Sequence, residues 1–139
     1  MGFVAIDFET DDSGNPWQLG AAEFGEDGRE TALWDWRFKD QSDIWRQWEE
    51  IAGVLTGKTL VAHNIACEKT ILTRLAPLTP LGPWKDTLKL ARKRYPKLKS
   101  YELGELCASF GCVPEMKGRT WHDGLYDAVA CGRLYDKIA

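Results

Sequence analysis

Only two histidines and four cysteines occur in this 139-residue chain, and no two cysteines stand in a C-x-x-C pair. Cys67, Cys107, Cys112 and Cys131 are not spaced with His63 or His122 as zinc ligands, which excludes a zinc-finger type of centre and leaves free thiols in a reducing cytoplasm as the expectation. No apolar run approaches the roughly 18 residues that a membrane-crossing helix needs, so no membrane span is expected. The opening segment Met1-Gly2-Phe3-Val4-Ala5-Ile6-Asp7 has neither a basic start nor a small-residue cleavage site, and it reads as a strand and not as a signal peptide. Repeats, low-complexity tracts and Gly/Ser linkers are missing too, and the expectation is one domain spanning residues 1–139. The net charge of −3 gives no global attraction for a polyanion, so any nucleic acid must be held by a local basic patch or by bound cations.

What is present divides into two halves. Residues 3 to 9 are apolar and end on acids, as suits a central strand that reaches a functional edge. After the turn formers Asp11-Asp12-Ser13-Gly14-Asn15-Pro16, residues 18 to 24 and 29 to 38 read as two strands joined at Gly25-Glu26-Asp27-Gly28, an antiparallel meander. From Ser42, a plausible N-cap, the period becomes helical, with Ile44, Trp45, Trp48, Ile51, Ala52 and Leu55 on one face. A short strand over 59 to 62 follows, then helices near 66 to 76, 86 to 94, 101 to 110 and 124 to 138. The order implies an α/β fold with a mixed sheet, antiparallel meander plus parallel strands, flanked by helices.

Three segments carry candidate chemistry. Side chains alternate along a strand, so Asp7 and Glu9 share one face while Val4, Ile6 and Phe8 pack on the other. Two acids that close suggest a divalent cation between them, although a D-x-E at a strand end is by itself more often only a solvated terminus. In Ala62-His63-Asn64-Ile65-Ala66-Cys67-Glu68 a strand gives way to a helix, where α/β sheets commonly place functional groups; Glu68 in the first turn also reads as an acid complementing the helix dipole. In Trp121-His122-Asp123-Gly124-Leu125-Tyr126-Asp127, five residues turn a helix by roughly 140°, so His122 must precede the helix that bears Asp127. Asp123 is then the N-cap, and Leu125, Ala128, Val129 and Gly132 form the packed stripe.

Together these segments resemble the DEDD exonuclease superfamily in its histidine-bearing, DnaQ-like branch, which has the RNase H-like fold. Asp7-Phe8-Glu9-Thr10 is similar to its first motif, His63-Asn64 through Glu68 to its second and His122 through Asp127 to its H-x-A-x-x-D third. The resemblance covers nearly the whole chain, including Asp86 to Arg92 and Leu98 to Leu103 as connecting helices. The rival branch would place Tyr four residues before the last acid, where this chain has Asp123.

The resemblance implies metal-dependent 3'→5' removal of nucleotides with two divalent ions, Mg²⁺ or Mn²⁺. Asp7, Glu9 and Asp127 are the first choices as ligands, with Glu68 joining them. His122 suits a general base at neutral pH. By similarity, Thr10, His63 and Asn64 would lie near the terminal nucleotide. The expected substrate is the 3' end of single-stranded DNA in proofreading, repair or trimming, including trimming of CRISPR spacer precursors. An RNA exonuclease of the RNase T or oligoribonuclease kind is an open alternative, since no motif reports on the 2'-OH. A polymerase, helicase or integrase module is the expected company of so short a domain.

Three positions depart from the family pattern. Glu68 stands where Asp is usual, Cys67 where an aromatic is usual and Gly124 where Ala is usual. The longer acid implies reduced or manganese-preferring activity, and a nucleic-acid-binding domain with weak or no catalysis is the third reading it leaves open. Gly124 would loosen the helix start behind His122. Lys85, Lys89, Arg92, Lys93, Arg94, Lys97 and Lys99 concentrate positive charge, which reads equally as a phosphate-tracking surface or as a solvated helix face. Trp34, Trp36, Trp45 and Trp48 read as core, and Trp121 as packing more than as a base-stacking platform.

Overall fold

A computed structural model describes residues 2–139. Five strands form one sheet in the order β3-β2-β1-β4-β5. The strands are β1 (Phe3–Thr10), β2 (Pro16–Phe24), β3 (Glu30–Arg37), β4 (Leu60–Ala62) and β5 (Trp84–Asp86). The helices are α1 (Gln41–Leu55), α2 (Ile65–Leu75), α3 (Thr87–Arg94), α4 (Leu103–Phe110) and α5 (Gly124–Ile138). β1, β2 and β3 form the expected antiparallel meander, while β1 with β4 and β4 with β5 run parallel. The mixed α/β sheet read from the sequence is therefore the observed one.

Alternation along β1 decides the layering. Val4, Ile6 and Phe8 face a core shared with Ile44, Ile51 and Leu55 of α1 and Leu72 and Leu75 of α2. Phe3 and Ala5 face the opposite core, with Leu125 and Val129 of α5. A third cluster joins Ala91 of α3, Leu106 and Cys107 of α4 and Ala130, Leu134 and Ile138 of α5. All four cysteines are free thiols, and three are buried. No helix among the described residues is long and apolar enough to cross a membrane.

Two close approaches fix where α5 sits. A Cβ on Gly20 of β2 would lie 2.2 Å from the Gly124 carbonyl carbon, so helix start and strand touch backbone to backbone. Gly124 itself presses on the Asp7 carbonyl and the Gln18 amide, with 3.1 Å to each from an added Cβ. Gly124 thus lets the helix start seat closely, where the sequence suggested a loosening.

Several local readings need correction. Asp40, not Ser42, caps α1, accepting from the Asp43 backbone N–H; Ser42 instead donates its hydroxyl to Asp40. Trp45 is 49% exposed, off the buried face, and meets Trp48 edge to face. β5 was not expected, because three residues are too few to show a period. Asp86 accordingly ends that strand and caps α3, where the sequence placed it inside the helix. α4 begins at Leu103, leaving Tyr101 and Glu102 outside it.

Candidate active site

The site forms where β1 and β4 end side by side and α5 begins beneath them. Asp7 and Glu9 project from the same face of β1, toward the start of α5, which brings Asp127 up from its first turn. Glu68 enters from the first turn of α2 and is 3% exposed. The Glu9 carboxyl lies close enough to Asp7 and Asp127 to act on both, and the charge of Glu68 acts on Asp7. Four acids thus converge on one space.

Their protonation reflects that crowding. Burial first, then the charge of Glu68 and the proximity of Glu9, holds the Asp7 carboxyl well above the usual carboxylate range. Burial pushes Glu68 up to about 8, opposed by a hydrogen bond from the Phe8 backbone and reinforced by Glu9 and Asp86. Burial and the charge of Glu9 raise Asp127 to about 7, against the pull of the His122 backbone N–H. That N–H donates to Asp127 Oδ2 at 3.3 Å, while Asp127 Oδ1 and Asp7 Oδ2 are buried without any hydrogen-bond partner. Orphaned buried carboxylate oxygens are costly, and hard oxygen donors gathered about one space fit a divalent cation such as Mg²⁺ or Mn²⁺.

His122 is exposed and takes a left-handed backbone conformation, φ 70°. Its ring nitrogen and one oxygen each of Glu9 and Asp127 lie within 4.8 Å of one another. A gap of that size admits one water or one small cation. The loop carrying His122 is tied down on its far side. Asp123 caps α5, accepting from the Leu125 and Tyr126 N–H groups, and pairs with Arg119 at 3.0 Å. Arg119 reaches on to Asp35 of β3 at 2.9 Å. Fully buried Gln18 completes the clasp by donating to Asp35 and accepting from the Gly124 N–H at 2.7 Å. The Tyr126 hydroxyl donates to the Pro114 carbonyl and fixes the earlier part of the loop.

On the α2 side, Asn64 is also left-handed, φ 73°, a conformation Asn tolerates better than most residues. Asp86 explains how the chain holds that bend. Its carboxylate accepts from the backbone N–H groups of Asn64, Ile65 and Leu88, so one side chain caps α3 and anchors the start of α2 that positions Glu68. Aspartate immediately before the helical residues 87–94 is an N-cap signal that could have revealed this role. No such signal exists for Gln18 and Asp35, or for the reach of Arg119 to Asp35, since these partners are remote in sequence.

The residues placed near a terminal nucleotide by resemblance behave differently from one another. His63 and Asn64 line a groove of 980 Å³ that also holds Asp127, His122 and Trp121. Both His63 ring nitrogens are engaged, Nδ1 with the Thr87 hydroxyl and Nε2 with the Tyr101 carbonyl, each at 2.7 Å. Burial favours its neutral form, so Nε2–H donates to the carbonyl and Nδ1 accepts from Thr87. His63 is a strut between β4 and the segment before α4. Thr10 lies exposed just past a register irregularity in β1 and is not part of the groove lining. Trp121 packs edge to face on Tyr126 while bordering the groove.

Comparison with solved structures shows which fold this is. A structure of Exonuclease X in complex with 5' overhanging duplex DNA matches over 98% of this chain and 90% of the other, with TM-score 0.73 and 19% identity. Exonuclease I matches over 98% of this chain and 41% of the other, with TM-score 0.69 and 13% identity. The chain adopts the fold of these two exonucleases. A stretch of 108 residues, 75% of the chain, is 32% identical to a DNA polymerase III of PolC type from Halalkalibacterium halodurans. The match spans 7% of that polymerase. No protein-family model matches the chain.

Proposed function

We propose that this chain is a divalent-metal-dependent 3'→5' exonuclease that releases nucleotides from the 3' ends of single-stranded DNA. One observation carries the reading: Asp7 Oδ2 and Asp127 Oδ1, both buried and unpartnered, belong to a four-carboxylate cluster beside an exposed histidine at the head of an open groove. The Exonuclease X structure, which holds a DNA duplex with a 5' overhang, and the PolC-type relative support nucleic acid as substrate. The latter also supports work beside a polymerase.

In this reading Asp7, Glu9, Asp127 and Glu68 hold two divalent ions. Such ions supply polarisation of the attacking water and neutralisation of charge on the leaving oxygen. His122, exposed on its loop, takes the proton from the attacking water. Asn64 at the mouth of α2 orients the terminal nucleotide. Glu68 compensates its extra methylene by entering from a helix start that Asp86 holds, which keeps its carboxyl against Asp7.

The test is a timed digest of 3'-labelled and 5'-labelled single-stranded DNA and RNA with Mg²⁺, Mn²⁺ or EDTA, comparing wild type with Asp7→Ala. Mononucleotide release from the 3' end of DNA, absent in EDTA and in Asp7→Ala, is the expected outcome. Retention of the 3' label on both polymers with either metal would sink the proposal, and faster loss from RNA would reassign the substrate.

A further inference from the structure

Of the 18 basic residues of this chain, five pair with a carboxylate among the described residues, and seven of the thirteen that do not lie together in one short segment. Arg37, Arg46, Lys58, Arg119 and Arg133 each pair with a carboxylate. Lys85, Lys89, Arg92, Lys93, Arg94, Lys97 and Lys99 all fall within fifteen residues, and no carboxylate pairs with any of them among the described residues. The one acid inside that stretch, Asp86, is occupied with three backbone N–H groups. Seven unpaired cations within fifteen residues make this segment strongly basic in a chain of net charge −3.

The groove takes in part of that segment. Its lining includes Leu88 and Arg92 of α3 and Lys99 on the segment after it, together with Glu102 and, on α4, Glu105 and Ala108. Glu102 and Glu105 are exposed. The groove that reaches His122 and Asp127 therefore carries both cations, from α3 and the segment after it, and acids, from the start of α4. Arg92 is also held in place, its guanidinium lying over the Tyr101 ring at 5.7 Å, and the Tyr101 carbonyl is bonded to His63. Such a lining suits one phosphodiester backbone held at Arg92 and Lys99, while the charges of Glu102 and Glu105 oppose a second one.

We propose that α3 and residues 97–100 form a backbone track for a single DNA strand, in which Arg92 and Lys99 hold phosphates upstream of the 3'-terminal one while Glu102 and Glu105 exclude a paired strand. The inference rests on the exonuclease reading for the direction in which the strand lies, but not for the binding itself. No base or sugar contact is involved, so the track is indifferent to sequence.

The experiment measures binding in EDTA, where nothing is cut, by fluorescence anisotropy of a labelled 15-nucleotide oligothymidylate and of a blunt 15-base-pair duplex across a salt series. Each phosphate contact to a single strand contributes about −0.7 to the slope of log K against log salt, so loss of two contacts reduces the slope by roughly 1.4. Arg92→Glu with Lys99→Glu is expected to weaken single-strand binding by about tenfold or more at low salt and to flatten the slope by at least that amount. Because Arg92 packs on Tyr101, Lys99→Glu with Lys93→Glu supplies a second pair on exposed side chains, with the same expected direction. Arg29→Glu with Arg74→Glu changes net charge equally on other faces and should leave binding within about twofold. Glu102→Lys with Glu105→Lys should raise duplex affinity more than single-strand affinity. An unchanged slope in both track pairs, or equal weakening by the Arg29/Arg74 pair, would overturn the proposal. A wild type that binds the strand with the expected slope but never releases the 3' label would instead sink the exonuclease reading alone.

Discussion

Replacing Glu68 by glutamine tests the crowding of carboxylates without any assay of activity. Glu68 is 3% exposed, and burial holds its carboxyl at about 8 instead of 4.5. At 1.36 kcal/mol for each tenfold change in proton affinity, that interval corresponds to roughly 5 kcal/mol as an upper limit. The sign follows from proton counting. Between the two values the native protein keeps a proton that the unfolded chain has released, so stability falls as pH rises from about 4.5 to about 8. Glutamine keeps the shape, can still accept from the Phe8 backbone and never ionises. In EDTA, wild type and Glu68→Gln should be about equally stable at pH 5, and by pH 9 the variant should be the more stable by about 3 to 5 kcal/mol. For a chain of this length that is on the order of 10 °C in Tm, read by calorimetry or circular dichroism. Addition of Mn²⁺ at pH 8 should then raise the wild-type Tm more than that of the variant, because the metal replaces the proton only where a carboxylate can ionise. Parallel stability curves for the two proteins from pH 5 to 9 would refute the crowding argument. Equal metal shifts would remove Glu68 from the ligand set.

Three further outcomes follow from the geometry. His122→Ala should lower kcat by about 10²- to 10⁴-fold while calorimetric Mn²⁺ affinity is retained; a comparable loss of metal affinity would make His122 a ligand instead of a base, as its closeness to Glu9 and Asp127 also permits. Arg119→Ala removes the pairs to Asp35 and Asp123 and should reduce kcat with KM unchanged, at a stability cost of about 1 to 2 kcal/mol by denaturant titration; a rise in KM alone would put Arg119 on the substrate. Gly20→Ala drives a methyl to 2.2 Å from the Gly124 backbone and should destabilise the fold by about 3 kcal/mol; an unchanged denaturation midpoint would show that α5 can slide.

How much the sequence disclosed depended on how local the cause was. Alternation placed Asp7 and Glu9 together and set Val4, Ile6 and Phe8 against the other core, since the period of a strand is fixed by its own backbone. The cap at Asp123 and the exclusion of His122 from the helix were legible for the same reason. The strand Trp84–Asp86 was not, because its three residues are ordered by pairing with β4 and not by any pattern of their own. Gln18 gave no sign of joining Gly124 to Asp35, as its 106-residue span to Gly124 closes only when the meander and the last helix meet. Burial of Glu68, which makes it an interacting acid and not a solvated helix start, depends on packing against β1 and was equally hidden. His63 kept its place in the groove, but its two ring bonds to Thr87 and Tyr101 belong to tertiary structure alone.

Asp86 has a consequence beyond capping. Since the same carboxylate fastens the start of α2, where Glu68 sits, and the start of α3, which bears Arg92, the acid cluster and the polyanion track share a single mechanical joint. In the proposed reading, a strand tugged along α3 would load the Glu68 end of α2 through one side chain, and Asp86 would couple grip to cut in a way that neither helix could by itself.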